Sequence, residues 1–436
     1  MPNCSAAESP SRVNNLQFSE LSQFVHYAEQ RFDLPWLAGA FTSSRLFPVI
    51  PCRAVWLSLV LGEVAQIPSL FQLEKETRLP QWQRWVGYPA PISHDTFGYV
   101  AERLDPAALR RAAVWINRKL KRGKAFEASK LKGLLVVSLD ANEQFCSYHR
   151  CCDDCLSREV TSKDAQGREV KRTQYYHKEV YAQLSGPELS VILDVEPMRQ
   201  GEEECAAALR LLRRMRRQYG PRFFDVVVVD SWYAQGPFLR TVVQELGWPV
   251  VAVLKQERYG VYQEAQALTL GRKPTQHVER DGRQVDIWEV EALDFSEGYG
   301  AKVRVVKVRE TWIQRKRIAK QWIHQAQEQN WMWVVAGNLT PYAGADIRDI
   351  GHLRWKVENN AFGELTQHWH LTHSAHHHPT ALLSLLWIKL IAFTLFHAFA
   401  ILHGKRFRLG TVTLAEIRRQ IYRSLLCGQP LLLFSG

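Results

Sequence analysis

Two stretches decide the fold, GLLVVSLD at residues 133–140 and FFDVVVVD at residues 223–230. Each is an apolar run of the length of a buried strand, and each ends in an aspartate, Asp140 or Asp230. In an open α/β sheet, ligands bind beyond the carboxyl ends of the strands, where the backbone runs out. The sequence therefore predicts two central strands that each deliver a carboxylate to one edge of a sheet.

The segments around these two runs give the order of the sheet. Two further strands, YYHKEVYAQLSG and ELSVILDVEP, follow the first run, and a helix that closes at Gly220 leads into the second. Residues 231–247 then favour a helix, and WPVVAVLK at 248–255 favours a fifth strand. Strands joined by short links form antiparallel meanders, whereas strands entered through helices run parallel. This order predicts an α/β fold of the RNase H-like type, with three antiparallel strands followed by parallel strands with helices.

The remaining segments predict a helical N-terminal domain and a β-rich insertion before the last catalytic helix. Short helices separated by turns, with Ser93 as one N-cap, favour a DNA-binding domain of the helix-turn-helix kind. The insertion contains a strand-turn-strand built on Asp281-Gly282, and two further strand candidates. We predict four parts: a helical DNA-binding domain at 1–128, a catalytic domain at 129–255 and 336–404, a mostly β insertion at 256–335, and a basic helical tail at 405–436.

Charge and composition favour a nucleic acid partner. The 436 residues carry 56 Lys and Arg against 44 acidic residues, a net charge of +12. Three basic clusters resemble a phosphate track more than three solvated faces. Their members are Arg118, Lys119, Lys121, Arg122 and Lys124; Arg210, Arg213, Arg214, Arg216 and Arg217; and Arg315, Lys316, Arg317 and Lys320, beside Trp312 and Trp322.

Neither a secreted nor a membrane protein is indicated. Eight cysteines do not make a disulfide scaffold, and no signal-peptide pattern begins the chain, so we expect a cytoplasmic, nucleoid-associated protein. Residues 381–403 are long and apolar enough to span a bilayer. Lys389 and His397 interrupt them, which favours a buried helix and no membrane contact. The sequence lacks a glycine-rich phosphate loop and a GxSxG elbow, which excludes nucleotide and serine hydrolysis.

Strand-end acids are the candidate metal ligands. Two carboxylates held close together repel each other unless a cation lies between them, and Mg²⁺ takes hard oxygen ligands. Asp is also common at strand ends as a turn former, and Asp194 and Glu196 end another strand, so they remain rivals. Asp225 begins its strand and lies at the wrong end. Glu358 is the third candidate, with Arg354 one helical turn before it.

At this point the chain resembles the DDE transposases of bacterial insertion sequences, in the cut-and-paste group whose catalytic domain carries a β insertion. The resemblance covers roughly residues 60 to 400. Its matching stretches are LVVSLDANEQF, GEEECAAALRLLRRM, VVVVDSWYAQGPFL and RWKVENNAFGELTQHWHL. It implies that Asp140, Asp230 and Glu358 are the catalytic and metal-binding residues. It also implies two Mg²⁺ or Mn²⁺ ions, DNA as the partner (both terminal repeats and target), and a homodimer in the synaptic complex.

The implied activity is metal-dependent strand cleavage at the element's ends, followed by strand transfer into target DNA. The family's last motif is Tyr, two residues, Arg, three residues, Glu, six residues, Lys. Arg354 and Glu358 match it, but Gly351 and Leu365 stand at the Tyr and Lys positions, where His352 or Lys356 could partly substitute. Arg354 would hold a phosphate and Lys356 would contact DNA.

Other sequence features leave alternatives open. Trp232 and Tyr233 follow Asp230 and could stack on an extruded base, although aromatic residues more often pack a helix. A decayed or domesticated copy that only binds DNA, and a related RNase H-like nuclease, are the alternative functions.

Cysteine and histidine residues suggest a second metal site. Cys152 and Cys155 form a CxxC beside Cys151, His149 and His177, which would suit a structural zinc. The second clean pair that such a site needs is not evident, so free thiols are the default expectation. The histidine run 370–378 favours a loop near DNA or a capping turn more than a metal tract.

Overall fold

The computed structural model describes residues 20–427, apart from 40, 164–165, 256, 258, 297, 319–320 and 403–411. Its helices cluster before residue 130 and after residue 340. They are α1 (Glu20–Phe32), α2 (Leu34–Gly39), α3 (Cys52–Val64), α4 (Leu70–Glu76), α5 (Pro80–Val86), α6 (His94–Ala101), α7 (Pro106–Arg122), α8 (Glu204–Tyr219), α9 (Gly236–Arg240), α10 (Gly260–Thr269), α11 (Gly344–His352), α12 (Arg354–Lys356), α13 (Gly363–Trp369), α14 (Pro379–Leu402) and α15 (Leu414–Cys427). Lys320 and much of the predicted tail 405–436 lie outside the described residues.

The N-terminal helices begin and end where the sequence indicates. The Ser93 side chain accepts a hydrogen bond from the Thr96 N–H and caps α6. Asp105 caps α7 in the same way, and Pro106 takes its first position, where a missing N–H costs nothing. The described residues between 20 and 128 are therefore mainly helical, as predicted. The domain limits proposed from the sequence stay predictions.

All ten strands belong to one mixed sheet. They are β1 (Val136–Ser147), β2 (Leu156–Lys163), β3 (Glu169–Ser185), β4 (Val191–Pro197), β5 (Val226–Val229), β6 (Val250–Val253), β7 (Gln276–Arg280), β8 (Arg283–Asp294), β9 (Lys302–Ile318) and β10 (Gln321–Ala336). Across the sheet the order is β2-β3-β1-β5-β6-β10-β9-β8-β7, and β4 pairs with β3 beside β2. The elements β4-β3-β1-β5-β6 form the RNase H-like core.

The strand directions confirm the predicted meander and the parallel strands. β3 runs antiparallel to both β1 and β4, while β5 runs parallel to β1 and to β6. The two parallel strands are reached through α8 and α9, which return the chain to the same edge before each strand begins. The sheet is therefore RNase H-like.

Two details of the strand assignment were wrong. β1 does not end at Asp140 but continues to Ser147, with a register shift between Glu143 and Phe145. The sequence also gave no sign of β2, which pairs with the first half of β3 from Leu156 opposite Tyr176. This first part of β3 is rich in polar residues, so it lacks the apolar run that marks a buried strand.

The predicted β insertion extends the central sheet. β10 runs antiparallel to β6 and so joins β7–β10 to the RNase H-like core. The turn between β7 and β8 places Asp281 and Gly282 at φ 54° and 71°, the pair of left-handed residues that a tight hairpin turn requires. The four insertion strands therefore share one hydrogen-bonded ladder with the catalytic core.

Both faces of the central strands are buried. Val136, Val226 and Val228 pack on the face that α11 covers with Ile347 and Ile350. The alternate residues of the same strands pack in the larger core on the other face, with residues of α8 and α14. This two-sided burial explains why both runs are apolar throughout rather than alternating.

Helix α14 is long and apolar enough to span a membrane, yet 78% of its most apolar 18-residue stretch is buried inside the protein. It packs against α3 and α7. The Lys389 ammonium donates to Glu63 Oε2 at 3.1 Å, and the His397 ring contacts Glu364 at 3.0 Å. The segment is therefore a core helix in this structure, as the two interrupting residues indicated.

Candidate active site

Asp140 lies where the parallel pairing of β1 stops. β1 pairs with β5 only over Val136–Ser138, so Asp140 is just beyond the last residue shared with the parallel part of the sheet. On its other edge it pairs with Tyr181 of β3. The carboxylate thus reaches the carboxyl edge of the parallel strands even though its own strand continues.

Asp230 follows directly on β5 at the same edge. Its backbone is extended, and Oδ1 accepts the Trp232 N–H at 2.8 Å, which caps the short 3₁₀ turn Ser231–Tyr233. One carboxylate oxygen is therefore engaged in fixing the turn.

Glu358 lies on a π-helical turn. The segment from Arg354 to Trp369 begins as α12, widens into a π turn at Val357–Phe362 and continues as α13. Single π turns inside α-helical segments are frequent at functional sites, because the extra residue re-aims the side chains of the turn. The predicted apolar side of this region is buried: Val357 and Ala361 are 0% and 3% exposed.

Arg354 brings the three acids into one electrostatic site. Its guanidinium is 5% exposed, with Nη1 3.6 Å from Asp140 Oδ2 and 2.5 Å from Glu358 Oε1. Its charge also acts on Asp230, where it lowers the pKa of that carboxyl. The structure thus brings Asp140 and Glu358 onto one cation, with Asp230 within its electrostatic reach.

Negative charge in this site exceeds what one arginine offsets. Burial, followed by the negative charge of Glu358, raises the pKa of Asp140 to about 7, against the opposing effects of the Ala141 N–H and Arg354. Burial also raises the pKa of Asp230, although the Trp232 N–H and Arg354 act against it. At both residues the cost of burying the charge exceeds what the neighbouring donors and Arg354 return.

A fourth acid beside the site was missed. Glu204, in the first turn of α8, accepts a hydrogen bond from the Tyr233 hydroxyl at 2.5 Å and from the Lys178 ammonium at 2.8 Å. Its charge raises the pKa of Asp230. The acidic run Glu202–Glu204 at the helix start was the available signal, but such runs are common at helix N-termini because they complement the helix dipole.

The residues expected to contact DNA occupy different environments. Trp232 is 52% exposed beside Asp230. Tyr233 is fully buried and bonded to Glu204, so the structure contradicts a base-stacking role for it: the protein core already occupies its ring. Lys356 is half-buried, and its ammonium donates to the Gly186 carbonyl at 2.6 Å, a contact within the protein.

The rival acids all have structural partners. Arg214 and Arg110 contact the buried Asp194, and Arg210 and Arg214 contact Glu196. Asp225 accepts the Leu135 N–H at 2.8 Å at the other end of the strands. Arg210 and Arg214, which the sequence placed in a basic cluster, are thus held in these ion pairs.

Packing explains both departures from the family motif. A Cβ on Gly351 would lie 2.3 Å from the Trp333 indole nitrogen, so no tyrosine fits there. Leu365 is fully buried in the core, where a lysine would lose its hydration. The suggested substitutes are engaged elsewhere: His352 contacts Glu310 at 3.0 Å, and Lys356 contacts Gly186.

A Cys/His cluster lies apart from the carboxylates. Cys152, Cys155, His177 and His377 place their ligand atoms within 4.8 Å of one another. The sequence did not indicate His377 as a member of this cluster. The two thiols were expected to be free, but in the structure they lie beside two imidazoles. Burial, followed by the charge of His377, lowers the pKa of His177 to about 4, against the opposing charge of Asp154, which leaves its ring neutral at physiological pH.

The site thus combines an RNase H-like sheet, with Asp140 and Asp230 at the carboxyl edge of its parallel strands, and Glu358 on the π turn beside them. Residues 180–395 match the family model described as the transposase DDE domain, a span that includes Asp230 and Glu358 and begins after Asp140. Residues 180–395 therefore form a transposase DDE domain, which confirms the resemblance seen in the sequence.

Other comparisons are more distant. A search among curated proteins returned no significant match. Among solved structures, the chain is similar to a cryo-EM structure of the piggyBac transposase synaptic complex with hairpin DNA, at 12% identity and a TM-score of 0.42 over 96% of this chain and 82% of that one.

Proposed function

We propose that this protein is the transposase of a bacterial insertion sequence, which cuts DNA at the element's ends and joins them to target DNA. The observation that supports the proposal most strongly is the contact of Asp140 and Glu358 with one arginine, Arg354, whose charge also acts on Asp230. The family provides the reaction class, and these side chains provide the chemistry.

The donor set fits two Mg²⁺ or Mn²⁺ ions. Carboxylate oxygens are the ligands that these hard cations prefer. Burial raises the pKa of Asp140 and of Asp230, so a bound cation would stabilise their ionised forms. Asp140, Asp230 and Glu358 would hold the ions. When bound, such ions lower the pKa of an attacking water or hydroxyl and stabilise the leaving oxygen of a phosphodiester.

Arg354 occupies two roles in this proposal. Without other cations it contacts Asp140 and Glu358 and offsets part of their charge. Once cations offset the carboxylates, its forked donors are released to hold a DNA phosphate at the same edge. Trp232, exposed beside Asp230, is then positioned to stack on a base near the cut.

The β9–β10 hairpin provides a surface suited to DNA. Arg315, Lys316 and Arg317 are exposed on β9, and the Arg315 guanidinium lies 4.4 Å from the ring centre of the exposed Trp322 on β10. Basic groups interleaved with aromatic rings combine phosphate attraction with base stacking. We propose that this arm contacts DNA, and that a homodimer of nucleoid-associated, cytoplasmic protein brings the two ends together.

A nicking and strand-transfer assay on the element's terminal repeats tests the proposal. Asp230→Ala should reduce Mg²⁺- or Mn²⁺-dependent cleavage by more than about 100-fold, since even outer partners of metal ligands cost about 10–100-fold. DNA binding should persist, because the basic surfaces are unchanged. The matched control is Asp294→Ala, an exposed aspartate of β8, which should cut like the wild type.

The assay also separates the alternatives. Equal cleavage by Asp230→Ala and the wild type would rule out the assigned site. A wild type that binds the repeats but never cuts them would favour a domesticated DNA-binding copy. Cleavage of branched DNA or hybrids without strand-transfer products would favour an RNase H-like nuclease.

A further inference from the structure

We propose that Cys152, Cys155, His177 and His377 bind one structural zinc ion. The four residues come from three separate parts of the fold: the loop between β1 and β2, strand β3, and the loop between α13 and α14. Two thiols and two imidazoles are the donor set of a closed, four-coordinate zinc site.

The distances between donor atoms match the edges of a zinc tetrahedron. Bond lengths of about 2.3 Å to sulfur and 2.0–2.1 Å to nitrogen imply edges of about 3.8 Å between sulfurs and about 3.5 Å between sulfur and nitrogen. Cys152 Sγ lies 3.6 Å from Cys155 Sγ. His177 Nε2 lies 3.2 and 3.3 Å from the two sulfurs, and His377 Nε2 lies 3.6 Å from Cys155 Sγ.

The backbone around the cysteines supports thiolate ligands. The Cys152 N–H donates to Cys155 Sγ at 3.3 Å, and the Cys155 N–H donates to the Cys152 carbonyl at 3.0 Å, so a tight turn presents both sulfurs on one side. Phe145 stacks on the His177 ring and meets the His377 ring edge-on, with centroids 5.4 and 5.0 Å away. This apolar wall orients both imidazoles and keeps water from the site.

Burial favours a structural ion over a catalytic one. Cys155 and His177 are buried, and Cys152 and His377 are half-buried. Four protein ligands leave no open position for a substrate. A disulfide between Cys152 and Cys155 would leave both imidazoles clustered on the sulfurs without a function, whereas a zinc ion uses all four groups.

The ion would fix the chain that follows the Glu358 turn. His377 lies in the loop after α13, and its neighbour His376 contacts Glu102 Oε1 at 2.8 Å, so the loop is attached to both the sheet and the N-terminal helices. His177 pairs with Phe145 of β1, the strand that carries Asp140. Zinc would therefore join the strand bearing one candidate ligand to the segment that follows another.

Metal content of the full-length, reduced protein tests the proposal without DNA. Purified without chelators, the wild type should contain about one zinc ion per chain by elemental mass spectrometry. Cys155→Ser should lose it, and Cys146→Ser, an exposed cysteine on β1, should retain it. His373→Ala, in the same histidine run but outside the cluster, should also retain it.

A second measurement decides the case if Cys155→Ser does not fold. Zinc-stripped wild type titrated with Co²⁺ should develop the visible bands of tetrahedral cobalt together with a thiolate charge-transfer band, and Zn²⁺ should displace both. Protein without zinc that takes up neither Zn²⁺ nor Co²⁺ would overturn the proposal. Thiol counting that finds Cys152 and Cys155 joined in a disulfide in the freshly purified protein would also overturn it. Neither result depends on whether the carboxylate site cuts DNA.

Discussion

Side chains of residues 348–354 contact acids at two places, and the charge balance at the two places is opposite. Glu310 of β9 is fully buried and contacts three basic residues, the arginines Arg348 and Arg283 and the ring of His352. Asp140 and Glu358 share only Arg354, and Asp230 is within its influence. One site therefore has an excess of positive partners, and the other has an excess of acids.

The pKa values follow this balance. Burial alone would raise the pKa of Glu310, but hydrogen bonds from His352 and Arg348 and their charges outweigh it and lower the pKa to about 2. At the carboxylate site the pKa of Asp140 rises to about 7. A buried acid with enough partners stabilises the fold, whereas buried acids short of partners indicate a place where a cation binds. Under the proposed function, the comparison separates a structural carboxylate, Glu310, from the proposed metal ligands.

The largest expected effect is a loss of stability when Glu310, the acid with several basic partners, is replaced. Glu310→Gln should lower the free energy of unfolding by about 3 kcal/mol at pH 7, because the buried Arg348 loses its one fully buried carboxylate partner among the described residues and keeps only Asp281 and Asp349. Denaturant unfolding measures the loss. Glu279→Gln, an exposed glutamate on β7, serves as the matched control and should change stability little. A Glu310→Gln variant as stable as the wild type would contradict the proposed contrast between the two sites.

The same variant predicts a pH dependence. Because the pKa of Glu310 is lowered to about 2 in the folded protein, its contribution is present above its ordinary pKa and is lost as the pH falls through about 2. The stability difference between wild type and Glu310→Gln should therefore be constant above about pH 5 and shrink between about pH 4.5 and pH 2. A difference that grows on acidification would contradict this assignment.

A smaller loss of stability is expected at the proposed metal site, when Arg354 is replaced. Arg354→Gln removes the cation that contacts Asp140 and Glu358, so we expect a loss of about 1–2 kcal/mol at pH 8, reduced because Glu358 is partly exposed. Saturating Mn²⁺ should restore more stability to this variant than to the wild type, since the metal replaces the missing charge. Thermal unfolding with and without Mn²⁺ measures both changes.

Arg309→Gln is the matched control for this pair of measurements. Arg309 is an exposed arginine that contacts Asp286, and Mn²⁺ should not distinguish its variant from the wild type. Equal responses of Arg354→Gln and Arg309→Gln to Mn²⁺ would contradict a cation site at the carboxylates.

Much of the fold is predictable because its signals are local. β1 and β5 are continuous apolar runs, and their residues are buried on both faces of the sheet. β2 and the first part of β3 carry polar residues on an exposed ladder, so hydrogen bonding rather than apolar burial defines them, and no local pattern indicates them. The continuation of β1 past Asp140 depends on its pairing with β3, which lies in a distant part of the sequence.

The candidate sites, like the strands, were predictable only where a local sequence pattern marks them. Asp140 and Asp230 were found because each follows an apolar run. The rivals Asp194 and Glu196 follow such a run as well, and only the arginines that contact them in space distinguish the two pairs. His377 lies 222 residues from Cys155, so the cluster could not be completed from spacing. In both cases the deciding partners come from distant parts of the chain, so the sequence alone does not show which side chains meet.

The smallest expected effect is a gain in stability, whereas the two larger ones are losses. Burial raises the pKa of Asp230, so its ionised form costs stability at neutral pH and costs none well below its ordinary pKa. Asp230→Asn keeps an oxygen to accept the Trp232 N–H, and should raise the free energy of unfolding by about 1 kcal/mol at pH 8, as substitutions at functional sites often do. The gain should vanish near pH 3, where the wild-type carboxyl is protonated.

Asp286→Asn provides the opposite control for the same measurement. Burial would raise the pKa of Asp286, but Arg309 and His277 outweigh it and lower the pKa, so its neutral variant should lose stability rather than gain it. An Asp230→Asn variant that is less stable than the wild type at pH 8 would mean that Asp230 has enough partners in the folded protein. The contrast with Glu310 would then fail at the residue on which the proposed cleavage most depends.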